Sequence, residues 1–272
     1  MPVGFLYDAA VAAPLRIPAE IQRGTFALTR EEWLEAGLSS VELLCRTLGQ
    51  EDLSGVDLLD VGCGTKITKT LLDNSMPIGS YAGIDVSSEV IYWLQANISD
   101  ARFEFHRLNA HNERYNPEGA DLAGFDLLPV GERRFDLICL FSVFTHLAPH
   151  DYVAMLRLLR RHAKPDARLL FSLYLRDSAG VAQFERGIQA CLTNPDPAVR
   201  GRTEEAIGRT MEGRAAQDDL RFVDEIPDRP LEVATYEPEY ARELVNETGW
   251  KVLEVHPPEG RFIQHYMICA PV

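Results

Sequence analysis

Apolar runs of strand length alternate with stretches of helical period along most of this chain. Val56, Leu58, Leu59 and Val61 make a first strand; Tyr81-Ala82-Gly83-Ile84, ending at Asp85, makes a second. Phe103 to Leu108 alternates with period two and reads as a third. Phe135 to Val143 is nearly continuous in its apolar character, as suits a strand covered on both faces of a parallel sheet. Arg168 to Leu175 is a fifth, and Trp250 to Val255 and Gln264 to Ala270 are two more. Between them, Val41, Leu44 and Leu48 fall at helical spacing within Ser39 to Leu48. A short helix is expected from about Ile67 to Leu72. A third is expected after Ser87, its N-cap, with Val90, Ile91 and Leu94 inward. Pro149 opens a fourth with Tyr152, Met155, Leu156 and Leu159 inward, ending at a Lys164-Pro165-Asp166-Ala167 turn. Pro238 to Gly249 reads as another, with Tyr240, Leu244 and Val245 inward and Gly249 as its C-cap. Strand and helix in alternation predict an α/β, doubly wound sheet.

Two segments fall outside this rhythm. Residues 1–37 form an N-terminal arm, broken by Pro14 and Pro18 and weighted by Phe5, Tyr7, Phe26 and Trp33; Thr29 with Glu32 reads as a helix start. Residues 176–232 form an insertion with helical patches at Val181 to Leu192 and Thr203 to Met211. The remaining 38–175 and 233–272 make the main domain.

The first strand runs into Asp60-Val61-Gly62-Cys63-Gly64-Thr65-Lys66. Gly62 and Gly64 allow a tight turn and close approach of a ligand to the backbone. The helix after the turn aims its unsatisfied N–H groups at that ligand. Asp85, twenty-one residues after Gly64, suits hydrogen bonding to a ribose diol. Turn and aspartate together predict a nucleoside-containing cofactor. A dinucleotide fingerprint would need glycine at position 67, where Ile67 stands, and no P-loop spacing is present.

At these residues the chain resembles the class I S-adenosylmethionine-dependent methyltransferases, whose first motif is [DE]-x-G-x-G-x-G. Asp60, Gly62 and Gly64 match it, and Lys66 stands at the third glycine. The order of the fourth strand, loop, helix and Lys-Pro turn before the fifth strand resembles the second half of the same family. Asn112, Tyr115-Asn116-Pro117 and Gly119, with Ser142-Val143-Phe144-Thr145-His146, resemble an uncharacterised bacterial branch of it. The resemblance implies a mostly parallel seven-stranded sheet whose last strand is antiparallel. It implies S-adenosyl-L-methionine as cofactor, bound by Asp60, Gly62, Cys63, Gly64, Lys66, Asp85, Val86, Asn109, Ala110, Phe141 and Ser142. Asn109 would read the adenine amino group. It also implies that the arm folds over the cofactor or the acceptor, and that the 176–232 insertion caps the acceptor site or makes the contacts of a homodimer.

Methyl transfer to a hydroxyl benefits from a base. His146, at the C-terminal end of the fourth strand, is the candidate; His150 and His111 are rivals. Tyr115, His146, His150 and Trp33 are expected to meet the acceptor. That acceptor is read as a small polar molecule, first a hydroxyl of a saccharide, glycolipid or natural product, then an amine. A nicotinamide-dependent oxidoreductase and a catalytically silent cofactor-binding module are the alternatives.

Charge and cysteines narrow this further. The 272 residues carry a net charge of −14, which disfavours nucleic acid or an anionic membrane as partner. Arg157, Arg160, Arg161 and Lys164 are expected to share one helix, where they read as a solvated face rather than a basic binding patch. Cysteines 45, 63, 139, 191 and 269 are unclustered and offer no metal spacing. With no basic region before the apolar run Ala9 to Leu15 and no run long enough to cross a bilayer, a cytoplasmic protein is expected.

Overall fold

The computed structural model describes residues 14–22, 30–113, 115–193, 221–225, 230–259 and 263–272, with isolated positions between 197 and 204. Nine strands form one sheet: β1 (Leu53–Val61), β2 (Ile78–Asp85), β3 (Phe103–Arg107), β4 (Phe135–Leu140), β5 (Ala163–Leu175), β6 (Phe222–Asp224), β7 (Ala234–Tyr236), β8 (Trp250–His256) and β9 (His265–Pro271). The helices are α1 (Arg30–Leu48), α2 (Lys66–Asp73), α3 (Ser88–Asn97), α4 (Pro149–Arg161), α5 (Ser178–Leu192) and α6 (Pro238–Asn246).

Strands β3, β2, β1, β4 and β5 lie side by side in that order, all parallel. β9 pairs antiparallel with β5, and β8 with β9. This is the seven-stranded sheet with an antiparallel last strand. Alternate residues feed opposite layers. Leu58, Leu137, Cys139 and Leu170 pack with α1, α2 and α3, through Leu44, Ile67, Leu71, Val90 and Leu94. Leu59, Ile138, Leu140 and Leu169 pack with α4 and α6, through Tyr152, Leu156, Leu159, Leu244 and Val245. Both faces are covered, which is why the central strands are apolar throughout. Ser87 caps α3, its side chain accepting from the Val90 N–H, and Pro149 opens α4.

Several local expectations need correction. The helix expected at Ser39 to Leu48 begins at least nine residues earlier, and Trp33 belongs to the same α1. Gly37 does not break it; a Cβ there would stand 2.1 Å from Thr70 Oγ1, so the glycine lets α1 close on α2. Thr29, Phe5, Tyr7 and Phe26 lie outside the described residues, as does nearly all of Thr203 to Met211.

The Lys164–Ala167 turn is instead a bulged part of β5, where the pairing register with β4 shifts between Phe135 and Leu137. Lys164 Nζ donates there to Asp57 Oδ2 (2.7 Å) and Asp136 Oδ2 (2.8 Å), tying three strands at their N-terminal edge. The four basic residues therefore do not share one helix. Lys164 is on β5, Arg160 donates to the Gly249 and Val272 carbonyls, and Arg161 donates to Asp126.

β4 ends at Leu140, because Ser142 takes a left-handed backbone (φ 58°). α6 ends at Asn246, short of Gly249. Finally, the insertion is not wholly helical. β6 pairs antiparallel with β7, and β7 runs parallel to the end of β5 at Tyr174 and Leu175.

Candidate active site

The C-terminal ends of β1, β2, β3 and β4 converge on one edge, where open α/β sheets bind ligands. After β1 the backbone turns through Gly62 (φ 71°) and Gly64 (φ 46°), both in the region that favours glycine. A Cβ on Gly62 would meet Val143 Cγ2 at 2.5 Å, whereas one on Gly64 would meet nothing within 4 Å. The first glycine is thus required by packing against the β4 loop, and the second faces open space. The Gly62 and Cys63 N–H groups both donate to the Ile84 carbonyl (2.7 and 3.0 Å), locking the turn against β2.

Asp85 closes that lock. Its Oδ2 accepts from the Gly64 N–H (3.0 Å) and its Oδ1 from the Ser87 N–H (2.9 Å). Two backbone donors fix the carboxylate plane against the turn. Cys63 is buried behind it, and burial pushes its thiol far above the ordinary range. Thr65, at the N-cap position of α2, makes no side-chain cap; it is 3% exposed, and its Oγ1 has no partner among the described residues. An orphaned buried hydroxyl beside an open glycine is what a polar ligand would complete.

Asp60 lies deeper. It is 1% exposed and accepts from Tyr81 Oη at 2.6 Å, with the Cys139 thiol as a second donor. Burial raises its pKa to about 6, against the two donors and with help from the Asp85 charge. Because the folded value exceeds the unfolded one, the chain stays protonated here while the unfolded chain ionises. Stability is therefore lost as pH rises from about 4 through about 6, by roughly 3 kcal/mol at most. Asp60→Asn is expected to remove that slope. Urea midpoints between pH 4 and 7 check this; equal slopes in both proteins would contradict it.

A loop follows β3. Asn109, exposed after β3, accepts through Oδ1 from Asn116 Nδ2 (3.1 Å). Asn116 also donates to the Ala110 carbonyl (2.8 Å) and accepts from Arg107 Nη2 (3.1 Å). Asn116, read from the sequence only as part of a polar acceptor loop, is thus a buried organiser of Asn109. Ala110 is buried and Val86 partly so.

Past β4 a short 3-10 turn, Phe144–His146, follows. Ser142 N–H donates to Ser172 Oγ (2.7 Å), and both hydroxyls bond Gln264 from the start of β9. Phe141 packs edge-on to Tyr266, centroids 6.1 Å apart. His146 Nδ1 lies 3.0 Å from the Leu231 carbonyl, and its ring meets the Tyr115 ring edge-on at 6.5 Å. A carbonyl only accepts, so Nδ1 carries the proton and Nε2 of the neutral ring carries the lone pair. Leu231 belongs to the β6–β7 connection, has a left-handed backbone (φ 56°), and donates its N–H to Asp224 Oδ2 (2.8 Å). The hairpin that the sequence did not announce is what orients His146.

The other candidates fall elsewhere. His150 is exposed, 3.3 Å from Asp151. His111 is exposed, bonding the Pro117 carbonyl and lying 3.4 Å from Glu113. Trp33 is buried in α1 (2% exposed), its Nε1 without a partner among the described residues. Sequence reading also passed over His265, 1% exposed, which takes the Leu175 N–H at Nδ1 and donates from Nε2 to Asp177, at the head of α5. Both its nitrogens are used within the fold, so it fastens α5 to β9. No cluster of His, Cys, Asp and Glu fit for a metal occurs among the described residues. No described helix is long and apolar enough to cross a membrane.

Residues 32–255 match the methyltransferase domain family. The chain belongs to the S-adenosylmethionine-dependent methyltransferases. S-adenosylmethionine is therefore its methyl donor. Among solved structures it is similar to magnesium protoporphyrin IX methyltransferase from Synechocystis PCC 6803 with bound S-adenosylhomocysteine (14% identity, 93% of this chain and 92% of that one, TM-score 0.53). It is also similar to a protein from Bordetella parapertussis (16%, 92% and 75%, TM-score 0.52). A third is a pericyclic reaction enzyme (11%, 84% and 47%, TM-score 0.50). At these identities the likeness is one of fold, and that fold carries more than one reaction.

Proposed function

We propose that this methyltransferase acts on a hydroxyl of a small polar acceptor, a saccharide, glycolipid or natural product. In this reading Asp85 holds the cofactor ribose, the Gly62–Gly64 turn lies beneath its amino-acid part, and Asn109 faces the adenine amino group. The cofactor supplies an electrophilic methyl on a cationic sulfur. The chain's task is then to hold the acceptor oxygen in line and take its proton. His146 is the residue suited to that step. The observation that carries the reading is its hydrogen bond to the Leu231 carbonyl, which commits Nδ1 as donor and leaves Nε2 as the basic nitrogen. Tyr115, edge-on to that ring, is suited to orient the hydroxyl.

The test is incubation with methyl-labelled S-adenosylmethionine and a set of polyols, saccharides, phenols and amines. Label is expected in an ether that survives mild base. Label confined to amines would replace this reading by N-methylation.

A further inference from the structure

The head of α2 is unusual in its charge. A helix N-terminus carries partial positive charge and ordinarily gains a capping side chain or an acid in its first turn. Here Thr65 supplies no cap, the first turn holds no acid, and Lys66 is the first helical residue. A cation at this end is unfavourable unless an anion joins it.

The four lysines sharpen the point. Lys69 bonds Asp73, Lys164 bonds Asp57 and Asp136, and Lys251 is exposed. Lys66 is half-buried, and no carboxylate among the described residues pairs with it. Burial alone lowers its pKa; no neighbouring charge contributes. The chain has 41 acidic residues against 27 lysines and arginines, so carboxylates are plentiful elsewhere.

Packing fixes where the lysine goes. Gly37 of α1 faces it, and a Cβ there would stand 3.5 Å from Lys66 Cγ. The missing side chain lets the stem lie between the two helices. Side chains on a helix lean toward its N-terminus, so a residue in the first position reaches over the turn before it. That turn is Gly62–Gly64, with open space at Gly64 and the orphaned, buried Thr65 Oγ1 between glycine and lysine. Cation, helix N–H groups and unpartnered hydroxyl all belong to this turn and the first residues after it, and all three suit a carboxylate.

We infer that Lys66 is the counter-ion of the carboxylate at the methionyl end of the cofactor, standing in for the third motif glycine. The inference rests on the S-adenosylmethionine reading of the site. It makes Lys66 a determinant of specificity: the pocket selects adenosyl ligands that bear the amino-acid carboxylate over those that do not.

Calorimetry with two ligands separates the claims. S-adenosylhomocysteine has the carboxylate; 5′-methylthioadenosine shares the nucleoside and sulfur but lacks the amino-acid part. In Lys66→Met, S-adenosylhomocysteine is expected to weaken between about tenfold and a hundredfold while methylthioadenosine is unchanged, as suits loss of a charge-assisted hydrogen bond. Lys66→Arg is expected to keep most of the preference. Retained methylthioadenosine binding shows that the variant is folded; should Lys66→Met not fold, Lys66→Gln takes its place with the same expectation. Equal loss of both ligands, or loss of neither, would overturn the role of Lys66. Failure of the unaltered protein to bind either ligand would overturn the cofactor reading, and this inference with it.

Discussion

Asp85→Ala is expected to weaken S-adenosylhomocysteine by at least a hundredfold. The carboxylate is fixed by the Gly64 and Ser87 N–H groups, so its orientation is set before any ligand arrives. Two hydrogen bonds from a ribose diol to a charged acceptor contribute roughly 1.5–3 kcal/mol each. Losing both corresponds to about two to four orders of magnitude in affinity. The variant also releases the Gly64 N–H, which loosens the turn. Asp85→Asn tests that second effect: its amide oxygen can still accept one backbone bond, so the turn should hold while ligand affinity falls less steeply. Calorimetric titration of the three proteins checks both. Unchanged affinity in Asp85→Ala would remove Asp85 from the ribose.

The second large effect concerns turnover. His146→Ala is expected to lower kcat by about 10²–10⁴, the usual contribution of a general base, while affinity for S-adenosylhomocysteine stays within about threefold. Because the Leu231 carbonyl holds Nδ1, the pH profile of the unaltered enzyme should fall on the acid side as imidazole protonates, and the variant should lose that limb. His146→Gln, which keeps a donor for Leu231 but has no titrating nitrogen, should behave as the alanine variant does. A variant that retains full kcat would assign His146 to structure only. Asp224→Ala, one step removed, should loosen Leu231 and lower kcat less, without changing the pH at which the rate falls.

Much of this was legible in the residues themselves. The central strands are buried on both faces, so their apolar runs announced them, and Ser87 and Pro149 marked two helix starts by the capping chemistry they provide. The turn at Gly62 and Gly64 and its partner Asp85 were readable because their spacing reflects one structural unit, strand, turn, helix and strand.

Other features depended on contacts between distant segments. β6 and β7 have three residues each, too few for any period, and exist only by pairing with one another and with the end of β5. Their connection nonetheless supplies the carbonyl that orients His146. Gly37 sits inside α1 for a reason no local pattern carries: it faces Thr70, thirty-three residues away. Pro165 looked like a turn, yet a bulge near the sheet's N-terminal edge accommodates it. The buried, unpaired Thr65 hydroxyl has no signature in sequence at all, because only burial makes it costly.

The central claim is that the sheet edge formed by the Gly62–Gly64 turn and Asp85 takes S-adenosylmethionine. Its most direct test is calorimetric titration of the unaltered protein with S-adenosylmethionine and, separately, with NAD. One site of micromolar affinity for the former, with NAD at least a hundredfold weaker, is the result predicted. Tighter binding of NAD, or no binding of S-adenosylmethionine, would contradict it.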